Sequence, residues 1–105
     1  MLNKISEPEP VGFIEAMECL PVAKVPDGPD WTYEIKLDGY RMEAVRNSRS
    51  TTLYSRRKNV LNGRFDHIAS ALDYLPDGTV LDGEVVAIGA DGRPSFNLLQ
   101  NFPIR

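Results

Sequence analysis

Cysteine occurs once, at Cys19, and histidine once, at His67, in the 105 residues. A single thiol excludes an internal disulfide framework and suits a reducing cytosol. One thiol and one imidazole are too few for a protein-built zinc site. Any metal is therefore expected to be a hard ion held by carboxylates and phosphates. No apolar run approaches the roughly 18 residues of a membrane span, and no basic-then-apolar leader opens the chain, so no membrane partner is expected. Internal repeats and low-complexity tracts are also missing. The length allows one domain with a modest core and no second substrate domain.

Charge is present but unevenly placed. The formal net charge of −3 speaks against a nucleic-acid partner when taken alone. Residues 1–38 carry a net of −5 and residues 65–105 a net of −4, whereas residues 39–64 carry +6. That middle holds Arg41, Arg46, Arg49, Arg56, Arg57, Lys58 and Arg64 against Glu43 alone. A basic island in an acidic chain is either a phosphate-facing patch or a solvated charged hairpin.

Residues 1–30 have proline beside acidic residues (EPEP, then VPDGPD) and read as an irregular wrap ending in a turn. Phe13, Ile14, Met17 and Leu20 offer that wrap a face to bury. WTYEIKL then alternates, with Trp31, Tyr33, Ile35 and Leu37 on one side and Thr32, Glu34 and Lys36 on the other, which predicts a half-buried strand. Asp38-Gly39 predicts a tight turn into a second strand, YRMEAVRN. NSRS predicts another turn into a third strand, TTLYS, completing a meander. Phe65, Ile68, Ala69, Leu72 and Leu75 recur at helical spacing up to Pro76. A strand follows from Thr79, then an Ala-Asp-Gly-Arg turn, then a short helix FNLLQNF with Ser95 as its cap. The order β-β-β-α-β-α defines an α+β fold: an antiparallel β-sheet with one or two packed helices.

The alternation puts Glu34 and Lys36 on the face opposite the apolar side chains, with Lys36 at the strand end. The turn at Asp38-Gly39 returns the chain so that Arg41 stands near that lysine. A free lysine of pKa about 10.4 is protonated at neutral pH and does not attack electrophiles. Lowering that value by about three units takes about 4 kcal/mol, from desolvation or neighbouring positive charge. Lys-x-Asp-Gly-x-Arg is thus either the frame of an activated amine or a charged hairpin.

The residues that follow bear on the choice. WTYEIKLDGYR, then LYSRRKN, then VLDGEVVAIGADGRPSFNLLQ resemble, in order and spacing, three nucleotidyltransferase motifs of the adenylation domain of ATP-dependent DNA ligases. The resemblance is greatest to the ligase domain of bacterial non-homologous end-joining ligases, and runs from about residue 10 to the end. It implies a wrap over 1–30, with 31–105 as the first part of an ATP-grasp-like nucleotidyltransferase domain. It implies ATP and Mg²⁺ as cofactors, with the Mg²⁺ held mainly by the ATP phosphates. It implies Lys36 as the nucleophile that forms a lysyl-AMP intermediate. Glu34 would contact adenine, Arg41 and Glu84 the ribose hydroxyls, and Arg56 a phosphate, with Asp38, Gly39 and Asp82 shaping and bracing the site.

The resemblance further implies nicked or broken duplex DNA as partner, in bacterial cytoplasmic repair and recombination. The family's later motifs, an adenine-stacking aromatic, an acidic metal motif and a Lys-x-Lys motif, do not occur in these residues. The expectation is therefore a fragment that does not seal nicks alone, and one whose uncovered sheet edges favour self-association. Two alternatives stay open: an RNA-ligase or capping-type nucleotidyltransferase, and a non-catalytic ATP-, DNA- or protein-binding remnant. Other residues have plainer expectations. Glu84 is a site residue or an exposed partner for arginine; Arg57, Lys58 and Arg64 are solvated charges. Trp31, Tyr33 and Tyr40 are core or pocket wall, Cys19 is buried filler, and His67 is exposed.

Overall fold

The computed structural model describes residues 10–103. Its centre is an eight-residue strand, β1 (Tyr40–Asn47), with β2 (Ser50–Ser55) antiparallel on one edge and β3 (Val80–Val85) antiparallel on the other, in the order β2-β1-β3. A helix, α1 (Asn62–Ala71), separates β2 from β3, and a short helix, α2 (Phe96–Gln100), follows. The architecture is a small α+β unit with a three-stranded antiparallel sheet and two helices. No helix among the described residues is long and apolar enough to cross a membrane.

Period-2 side-chain placement divides the work of β1. Met42 and Ala44 point to one face and join Leu53, Phe65, Ala69 and Leu99 in the buried core. Leu53 and Phe65 are the most deeply buried large side chains, each worth about 1.5–3 kcal/mol of apolar transfer. Tyr40 packs edge-on against Phe65 and Phe96 at ring separations of 6.5 and 5.4 Å, so its expected place in the core holds. The opposite face of β1 carries Arg41, Glu43, Val45 and Asn47. Residues 11–14 lie against it: Ile14 N–H donates to Glu43 Oε1 at 2.6 Å, and the Asn47 side-chain amide both accepts from Val11 N–H and donates to Val11 C=O. Phe13 meets Tyr54 edge-on at 5.5 Å. The rest of the wrap's apolar face is not buried: Ile14, Met17 and Leu20 are exposed.

The expected strand over Trp31–Leu37 is absent. These residues carry no strand pairing, and Trp31, Tyr33, Ile35 and Leu37 are exposed, contrary to their expected place in a core or pocket wall. Alternation supplies a strand's side chains, but a strand also needs a neighbour for its N–H and C=O groups. Both edges of β1 are occupied, by β2 and β3, which leaves no edge of it for residues 31–37. The observed order is β-β-α-β-α.

Asp38-Gly39 does not close a hairpin either. Gly39 serves by its missing side chain: a Cβ there would lie 2.1 Å from Val85 O, so the start of β1 can pack on the end of β3 only with glycine. The turn after Asn47 does form, with Ser48 at φ 54°. Helix α1 ends at Ala71, ahead of Pro76, because the next residues are tied to the sheet. Asp73 accepts Thr51 Oγ1–H at 2.7 Å on its carboxylate and Arg46 Nε–H at 3.1 Å on its carbonyl. At the helix start the side chain of Asn62 caps nothing. It accepts from Leu53 N–H and donates to Thr51 C=O, both at 2.7 Å, covering part of the outer edge of β2. Ser95 caps α2 as expected, accepting Leu98 N–H at 3.2 Å.

Substituting Gly39→Ala is expected to cost about 1–3 kcal/mol in denaturant unfolding, since the clash is with backbone that cannot rotate away. Gly83→Ala, where an added Cβ meets nothing within 4 Å, is the control and is expected to change far less.

Candidate functional site

Register on the sheet face opposite the Met42–Ala44 core builds the site. Arg41 pairs directly with Glu84 across β1 and β3, and Glu43 with Asp82, so all four side chains lie on one face. Arg41 uses the diagonal neighbour: Nε donates to Asp82 Oδ1 at 3.1 Å and Nη2 to Oδ2 at 2.7 Å, a two-pronged ion pair. The hydrogen bond from Arg41 holds the Asp82 carboxyl below its ordinary 3.8; partial burial opposes it, and Coulombic attraction to Arg41 adds a lesser contribution in the same direction as the hydrogen bond. Reciprocally, the hydrogen bond to Asp82 raises the Arg41 guanidinium above its ordinary value, so it stays charged at any working pH.

Beside this pair, at the Tyr40 end of β1, lies a cleft of about 820 Å³. That is within the usual size of small-molecule sites, roughly 300–1,000 Å³. Gly39 and Arg41 enter it from β1 and the residue before it, Glu84 from β3, and Ser55, Arg56 and Arg57 from the end of β2. Its roof is the N-terminal segment, through Glu15, Ala16 and Glu18. Arg56 forms an ion pair with Glu18 through Nη2 and Oε1, and both side chains are more than half exposed.

The structure thus brings Gly39, Arg41, Arg56 and Glu84 together. Lys36, Glu34 and Asp38 do not line the cleft; they lie on the exposed, unpaired stretch leading into Gly39. Cys19 is exposed rather than buried. Arg64, expected as a solvated charge, instead donates to the carbonyls of Phe102 (2.6 Å), Gln100 (3.0 Å) and Leu99, and its guanidinium lies 5.4 Å from the Tyr40 ring centre and 5.1 Å from that of Phe65. His67 is exposed as expected. Among the described residues no three His, Cys, Asp or Glu side chains converge to hold a metal ion.

Sequence reasoning missed Glu18, Glu43, Asn47 and Asn62. Glu18, Glu43 and Asn47 act on partners 29 to 38 residues away and Asn62 on strand backbone 9 and 11 residues back, and no local pattern marks such pairs. The +6 island is also less free than its count implies. Arg46 donates to Ser48, Ser50 and Asp73 carbonyls, and Arg64 to those of the last two residues of α2 and of Phe102 beyond it. Arg41 and Arg56 have carboxylate partners.

In physical terms the cleft combines four guanidinium groups, Arg41, Arg56, Arg57 and Arg64, with three carboxylates, Glu15, Glu18 and Glu84, and a glycine at position 39. Comparison with known proteins specifies the class. The family model described as ATP dependent DNA ligase domain matches residues 15–102. The chain is 36% identical over 87 residues to the multifunctional non-homologous end joining protein LigD of Pseudomonas aeruginosa, covering 82% of this chain and 10% of that protein. It is 32% identical to the SPbeta prophage-derived DNA ligase-like protein LigB of Bacillus subtilis (80% of this chain, 30% of that one) and 38% identical to DNA ligase C2 of Mycolicibacterium smegmatis (69% and 20%). No solved structure matches. The chain belongs to the ATP-dependent DNA ligase family. It spans between a tenth and under a third of the length of these relatives.

The Arg41–Asp82 pair makes a signed pH prediction. Because the folded-state carboxyl lies below its ordinary value, its stabilisation is complete above pH 3.8 and is lost as pH falls through the lower folded value. Acid titrations of unfolding should therefore show Asp82→Asn less stable than wild type near neutrality, with the difference closing at the acid end.

Proposed function

We propose that the chain is the N-terminal part of an ATP-grasp-like adenylation domain and that the cleft beside β1 receives ATP, a substrate of this reaction. The observation that carries the reading is the convergence of Gly39, Arg41, Arg56 and Glu84 on one cleft, from stretches that resemble three separate motifs of the ligase family. Arg56 suits a phosphate, because a guanidinium offers forked donors and keeps its charge. Glu84 suits ribose hydroxyls, because an ionised carboxylate accepts from both. Arg41, fixed by Asp82, presents its remaining donors to the same sugar. Glu34 would contact adenine, and Asp38 with Gly39 would shape the turn that aims the lysine.

Lys36 is the proposed nucleophile, three residues ahead of Gly39 and on a stretch with no sheet partner to hold it. Its unprotonated Nζ would attack the α-phosphorus. A nitrogen–phosphorus bond forms, the bond to the bridging oxygen breaks, pyrophosphate leaves with the electron pair, and the nitrogen gives up one proton to solvent. Mg²⁺ would arrive on the phosphates and neutralise their charge. In the whole protein the adenylyl group would then pass to a 5′-phosphate at a break in duplex DNA, in the cytoplasm of a bacterium. Nick sealing needs phosphate-binding and metal-binding motifs that these residues do not include.

Incubation with α-labelled ATP is expected to label the wild-type chain and to leave Lys36→Ala at background; label retained on the variant would refute the assignment. Arg56→Ala should weaken ATP binding by about ten-fold or more, as for loss of a hydrogen bond to a charged group. The purified chain is expected not to join a nicked duplex, and ATP-dependent joining by it would overturn that part.

A further inference from the structure

The cleft already contains an anion of its own. Glu18 reaches down from the roof to Arg56, the guanidinium that the proposed function assigns to phosphate. The two side chains are 64% and 61% exposed, so the pair is accessible to a competing ligand and is weakly held. Among the described residues, the contacts that tie this segment to the sheet lie upstream of Glu18, where Val11, Phe13 and Ile14 grip Asn47, Tyr54 and Glu43. Beyond Ile14 the chain has no helix or strand up to β1, and its large apolar side chains Met17 and Leu20 are 84% and 88% exposed. Nothing in that packing requires the ion pair in order to keep the fold.

We infer that Glu18 is an internal competitor for phosphate: an autoinhibitory carboxylate on a hinged strap, which must leave Arg56 for a polyphosphate to enter. The inference rests on the reading of the cleft as an ATP site. The reasoning is electrostatic exchange. A single carboxylate and a polyphosphate want the same forked donors, and the ligand brings more charge and more acceptor oxygens. The net cost of displacing Glu18 appears as lowered affinity, by the strength of an exposed ion pair. Once displaced, Glu18 would stand beside an anionic ligand, so the strap is expected to swing outward about the Ile14 anchor.

The experiment measures equilibrium binding of ATP and of inorganic tripolyphosphate to the purified chain by calorimetry, with Mg²⁺ present. Wild type is compared with Glu18→Gln, Arg56→Ala, the double variant and Glu15→Gln, which removes the same charge from the same roof. Glu18→Gln should bind both ligands about two- to five-fold more tightly, the worth of an exposed ion pair. The gain should vanish in the Arg56→Ala background, and Glu15→Gln should give less of it. Equal affinities of wild type and Glu18→Gln, with Arg56→Ala weakened, would overturn the strap and leave the cleft standing. A gain that persists without Arg56, or that Glu15→Gln matches, would reduce the effect to general charge and also overturn it. Failure of all five proteins to bind either ligand would refute the cleft reading and the strap together. Thermal unfolding of each variant checks that all are folded.

Discussion

Strand β1 is hydrogen-bonded along both edges, and that double pairing is the constraint on which the rest of the molecule depends. It fixes which face of the sheet receives Met42 and Ala44, and so where α1 and α2 can pack. It also fixes, through the β1–β3 register, that Arg41, Glu84, Glu43 and Asp82 share the other face. Gly39 is the point at which this pairing begins, because only a residue without a side chain tolerates the carbonyl of Val85 so close. A slip of one residue in register would send the arginine into the core and the methionine into the cleft.

The distribution of charge acquires its meaning from the same geometry. An arginine beside a carboxylate is held in a single orientation, and Arg41 is held by two donors at once. Arg46 and Arg64 act differently, satisfying backbone carbonyls where chain segments would otherwise end without partners. Membership of the ATP-dependent DNA ligase family gives the cleft a chemical context. In the proposed reading, the Glu18 carboxylate on Arg56 is the contact that a ligand would displace.

Several elements were legible in the residues alone. The helical spacing of Ile68 and Ala69, the turn at Ser48, and the serine ahead of FNLLQ are signals confined to a few neighbouring positions, and each corresponds to what forms, although α1 kinks at Phe65, where the backbone is not helical. The stretch over Trp31–Leu37 shows the opposite case. Its alternation is as regular as that of any strand in the chain, yet it remains unpaired because β3, which begins 43 residues after Leu37, takes the edge it would have used. Likewise Asn47 and Asn62 look like turn or loop residues, and act instead as side-chain clamps on backbone at a distance.

Short-range chemistry was therefore settled by the residues themselves: which segments are apolar on one side, where a chain must turn, which stretches carry the look of nucleotidyltransferase motifs. Partnership was settled only in three dimensions. Whether an arginine meets Asp82, a carbonyl or Glu18 depends on register and on which edge of a strand is free, and hydrogen bonding is satisfied between segments rather than within them.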